Sequence, residues 1–158
     1  MDPQPSSFYG SILKSGLIIG VLDAIAASVN AYVLNRVSPA AVFRYVASGV
    51  FGKEAFAGNW LTACWGLLFH FIIATGWTAL FFVIYPKLKM VTTNMIVAGI
   101  AYGVFVWLMM NLVVVPLSQV PPGPFRISRA VIMILIHMFV IGVPIAYLAN
   151  KYYSMAGK

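Results

Sequence analysis

Apolar residues fall along this chain in four long blocks, separated by short polar or proline-bearing stretches. The blocks run from about Ile12 to Leu34, Trp60 to Tyr85, Thr93 to Val115 and Ser128 to Leu148. Each reaches the roughly 20 mostly apolar residues that a bilayer-spanning helix needs. Pro86 and Pro116 follow the second and third blocks and are expected to stop those helices. No set of segments alternates with period two for long enough to close a barrel. The pattern predicts an all-α polytopic membrane protein with four transmembrane helices, one integral-membrane domain over residues 1–158.

Two connections are longer than a turn. In the first, Ser38-Pro39 supplies an N-cap and a proline at the first helical position. Val42, Val46 and Val50 then recur at four-residue intervals, with Phe43 on the same side, and Gly49 and Gly52 are expected to end the helix. This predicts a short interfacial helix over about 39–51. Glu54 follows, either as a solvated partner of Lys53 or Arg44 or as an entrance group to an inner cavity. The last connection carries Pro116, Pro121, Pro122 and Pro124 around Gly123 and reads as a stiff extended loop. Phe125, Arg126 and Arg129 suit an anchor at lipid headgroups.

Polar and small residues inside the blocks repeat at helical spacing. Gly16, Gly20, Asp23, Ala27 and Asn30 form one stripe, and Gly66, His70, Ala74 and Thr78 a second. Gly99, Gly103, Trp107 and Asn111 form a third, while His137 shares a face with Ala130, Met133 and Pro144. Pro144 is expected to kink its helix or loosen the bonding one turn before it. Small residues let helices approach closely in lipid, so these stripes should face protein. Asp23 lies eleven residues from each end of its block, His70 ten and His137 nine from the starts of theirs. The three ionisable groups are therefore expected near one depth, as an intramembrane polar site. Asn30 and Asn111 are read as supporting hydrogen-bonding residues.

Composition sharpens the class. With 62% hydrophobic and 8% charged residues and a mean hydropathy of +0.95, the chain could not cover its surface in water. The net charge of +7 points to membrane lipids with anionic headgroups as partners and away from nucleic acid. Cys64 stands inside an apolar block and reads as core packing. The ten Lys and Arg residues divide five and five between the two sides. Lys14, Lys87, Lys89, Lys151 and Lys158 face Arg36, Arg44, Lys53, Arg126 and Arg129, so the positive-inside rule sets no orientation. Either other features place both termini in the cytoplasm, or copies insert both ways and pair antiparallel. The glycine-bearing faces offer a surface for such a homodimer.

The stretch from His70 to Pro122 resembles the YagU-type family of small bacterial inner-membrane proteins. The matching features are His70 before a Phe-rich half-span and Tyr85-Pro86-Lys87-Leu88-Lys89. Gly99 and Gly103, Val106-Trp107, a polar Asn111, Pro116-Leu117 and Pro121-Pro122 follow in order. The family pattern has histidine where this chain has Asn111. The resemblance implies a multi-pass protein of the bacterial inner membrane and brings no activity with it.

Three functions fit these residues. A midplane carboxyl with imidazoles nearby can relay protons or small ions, with Asp23 the exchanging acid and His70 and His137 the relay. The same two histidines and carboxylate suit a transition metal, and two histidines suit haem, although close-packed helices leave little room for a porphyrin. A non-catalytic scaffold or partner subunit would need neither. No enzyme is expected. A lipid-modifying activity would have to rely on Glu54 or Ser48 at headgroup depth, with no histidine beside them.

Overall fold

The computed structural model describes residues 7–123 and 126–156, so Pro124, Phe125 and Lys158 lie outside the described residues. Among the described residues every regular element is helical. The elements are α1 Phe8–Asn35, α2 Pro39–Phe51, α3 Glu54–Ala57, α4 Trp60–Val91, α5 Met95–Leu117 and α6 Ile127–Ala156. Four of them, α1, α4, α5 and α6, are long and apolar enough to cross a membrane. Their outer faces carry exposed Leu17, Ile25, Leu68, Ile72, Leu108 and Phe139, which suits lipid as solvent.

Helix ends follow their local chemistry. Ser7 Oγ accepts the Gly10 N–H at 3.1 Å to open α1, and the Asn59 and Asn94 side chains open α4 and α5 in the same way. α1 closes at Arg36, which takes the left-handed conformation (φ 56°) while the Val37 N–H reaches back to the Ala31 carbonyl. Ser38 caps the start of α2, as its sequence suggests, and the helix runs through Gly49 to Phe51, capped by Gly52, whose φ of 63° suits glycine. It packs on α4. Its buried face is Ala47 and Ser48, with Val50 turned outward, because a backbone contact sets its roll. A Cβ on Gly66 of α4 would collide with the Phe43 carbonyl of α2.

Prolines do not stop the spans where the sequence predicts. α4 continues through Pro86 to Val91. Proline leaves the carbonyl four residues back without its helical donor, and here that carbonyl, Phe82, accepts from the Tyr153 hydroxyl at 2.7 Å. α5 likewise continues through Pro116 to Leu117, and α6 through Pro144 to Ala156. Both solve the problem with a π-helical segment, Met110–Val114 in α5 and His137–Gly142 in α6. Val115 N–H bonds the Met110 carbonyl and Val143 N–H the Met138 carbonyl, and in each case the next residue is the proline. The same Val-Pro pair therefore closes both segments.

One end of the bundle is dense. Phe81, Phe82, Tyr85, Tyr102, Ile145, Ala146 and Ala149 are buried together, with Phe81 and Tyr102 ring centroids 4.6 Å apart. Their hydroxyls are satisfied: Tyr85 donates to Asn150 Oδ1 at 3.0 Å and Tyr102 to the Trp77 carbonyl at 2.6 Å. The glycines that the sequence offers to a second copy pack within the chain. Gly16 meets Thr75, Gly20 meets Phe71, and Gly99 meets Gly142 backbone to backbone. The opposite end is hollow, because the buried residues of α1 end at Gly20.

Candidate functional site

Where α1 parts from its neighbours, Asp23, His70 and His137 come to line one cavity of about 100 Å³. Each is placed by a contact made one turn away. His70 sits on α4 between the Phe43 and Phe71 rings, at centroid distances of 6.0 and 5.6 Å. Its Nε2 lies 2.9 Å from the Gly20 carbonyl across the α1–α4 contact. A carbonyl only accepts, so that nitrogen carries the proton and donates. Nδ1 then faces Asp23 Oδ2 at 4.0 Å, with the two side chains 11% and 21% exposed. The Asp23 carboxyl makes no hydrogen bond among the described residues, so His70 is its polar neighbour.

His137 is buried and begins the π segment of α6. Gly103 of α5 makes its position possible, since a Cβ there would strike the His137 carbonyl. Its Nδ1 lies 2.8 Å from the Met133 carbonyl and by the same reasoning donates to it. Its Nε2 has no hydrogen bond among the described residues. Both histidines thus have one nitrogen fixed as a donor to backbone and the other left as an acceptor. Among the described residues no three of His, Cys, Asp and Glu form a group that could hold a metal ion, so the three share a wall without closing on a point.

The cavity has a floor and a mouth of different character. Inward, Ile19, Ile73, Ala74, Val106, Ile141 and Ile145 make it apolar. Trp77 also lies there, its indole N–H donating to Met110 Sδ at 3.3 Å. Outward, a groove of about 590 Å³ opens between α1, α2 and the start of α6. Ala24, Ala27, Asn30, Ala41, Val42 and Met133 line it, and Asp23, Val46, His70, Met110 and His137 belong to both spaces. The three titratable groups stand at the junction, with room for several waters beside them.

The other expected residues fall elsewhere. Asn30 lines the groove and points its amide at Met133 Sδ, 3.4 Å away. Asn111 does not continue the Gly99–Gly103–Trp107 face. Each four-residue step advances about 40° round an α-helix, so by the third step from Gly99 Asn111 has turned outward, and it returns its amide to the Trp107 carbonyl at 2.9 Å. Glu54 is exposed on α3 and lines neither space, while Arg44 donates to the Gly58 carbonyl at 3.0 Å instead of pairing with it. Ser48 is fully buried, its hydroxyl donated to the Tyr45 carbonyl at 2.7 Å, which removes it as a surface nucleophile. Cys64 is exposed rather than in the core, because it stands two positions before Gly66, which puts it on the opposite face of the helix.

Sequence reasoning missed Val46, Met110 and Trp77. Val46 stood on the predicted α2 stripe, but nothing in the sequence directed that stripe at His70. Met110 lies one α-helical turn past Val106, so the spacing Gly103–Val106–Met110 was the signal that could have found it. Comparison of the chain with known protein families, with curated proteins and with solved structures finds no match.

Proposed function

We propose that this chain is a multi-pass membrane protein that handles protons, exchanging them between Asp23 and His70 at the junction of the groove and the inner cavity. The observation that carries the reading is the 4.0 Å approach of His70 Nδ1 to Asp23 Oδ2, with Nε2 already committed to the Gly20 carbonyl. A neutral His70 held this way offers its free lone pair toward the carboxyl. A protonated Asp23 can pass its proton across that gap directly after a small closure, or through one water. His137, fixed at Nδ1, offers a second acceptor on the same wall. The resemblance of the His70–Pro122 region to the YagU-type family supports a bacterial inner-membrane location.

A scaffold or partner-subunit reading has one observation in its favour. Past the junction the cavity wall is apolar, and no further titratable group lines it. Purified protein in vesicles loaded with a pH-sensitive dye separates the two. Asp23→Asn and His70→Gln should each slow proton flux at least tenfold, about 1.4 kcal/mol in barrier. Asp23→Asn flux at the wild-type rate, with only thermal stability changed, would leave the scaffold reading standing.

A further inference from the structure

Several features of the hollow end are not used by proton exchange. The groove is long and almost wholly apolar. Its α1 wall, Asp23 to Ala31, spans about 12 Å at 1.5 Å per residue, and its volume lies in the range of a bound small amphiphile. One turn beyond its outer end stand basic groups. Arg129 Nη2 donates to Asn35 Oδ1 at 2.6 Å, bridging α6 to α1 one turn above the Asn30–Met133 contact. Arg36 follows Asn35, its guanidinium over the Tyr32 ring at 5.5 Å, and precedes Val37, which lines the groove. Both arginines are exposed, and neither pairs with a carboxylate among the described residues. An apolar slot capped by unpaired guanidinium groups matches a molecule with an apolar chain and an anionic head.

We propose that the groove between α1, α2 and α6 binds an anionic phospholipid, its phosphate held by Arg129 and Arg36 and one acyl chain laid along Ala31, Ala27 and Ala24 toward Asp23. Asn35 holds Arg129 by one N–H and leaves the rest of its fork for phosphate oxygens. The small side chains of α1 form the bed of the slot. Met133 and Met110 are the adaptable groups on the facing wall. The slot ends at the junction and shares Asp23, Met110 and His137 with it, but lipid retention is measured without any flux, so failure of one reading is distinguishable from failure of the other.

Native mass spectrometry of the detergent-purified protein tests this with phosphatidylglycerol and phosphatidylcholine of identical acyl chains. Wild-type protein should retain phosphatidylglycerol preferentially. The preference should fall about fivefold for each arginine in Arg36→Gln and Arg129→Gln, the effect of one basic residue at a lipid surface. Filling the bed with Ala27→Leu and Ala31→Leu should abolish retention of both lipids while the helical circular dichroism stays unchanged. Equal retention of the two lipids by wild type, or a preference that survives in the double arginine variant, would overturn the proposal. If the leucine variant loses its fold, the exposed arginine pair decides alone.

Discussion

Gly66 and Gly76 lie on the same helix and make opposite demands on a substitution. A methyl group at Gly66 meets the Phe43 backbone of α2, whereas one at Gly76 meets nothing within 4 Å. Gly66→Ala should therefore lower stability by about 1–3 kcal/mol through overpacking. Gly76→Ala should raise it by up to about 1 kcal/mol through helix propensity. Thermal unfolding in detergent checks both, and a similar effect at the two sites would contradict the packing of α2 on α4. At this scale the sequence was legible where small residues repeat, because close approach demands them. Gly16, Gly20 and Asp23 were read onto one face, and they lie there. It was not legible for Asp23 and His70 as neighbours: helical spacing fixes the direction of a side chain, whereas partnership depends on which helices meet.

Among the elements, the two π segments had the weakest trace in the sequence. Pro144 carried the hint that bonding loosens one turn before it, and that turn is the π segment of α6. Pro116 and Pro86 were read as stops, because a proline's missing N–H is local while the donor that replaces it, Tyr153 for Pro86, comes from another helix. Asn111 was misplaced for a simpler reason: four-residue steps drift round an α-helix, whereas Met110 follows Gly103 and Val106 at seven and four residues and points inward. Pro144→Ala restores a backbone donor to the Val140 carbonyl and removes the need for the wide turn. His137 should then leave the cavity wall. The variant should be more stable than wild type and should lose the histidine ring signals that report cavity contacts in NMR. Unchanged signals would mean that the Gly103 contact alone holds His137.

The whole molecule is built unevenly, dense around Phe81, Phe82 and Tyr85 and open around Asp23 and His137. Four helices and their approximate limits were legible because length and hydropathy decide them. Unevenness was not, since each block is apolar throughout and the sequence does not say where neighbouring helices part. The balanced basic residues likewise leave open which way round the molecule sits. Cys64 offers a way to answer that. It is the single thiol of the chain, exposed four residues past the start of α4 at Trp60, about 6 Å from that end. A membrane-impermeant thiol label applied to each face in turn should react fully from one side and not from the other. Labelling near one half from both sides would show two opposed populations. A residue with no part in packing or chemistry thus serves as the compass of the molecule, and a single reactive atom can record which way round each copy was inserted.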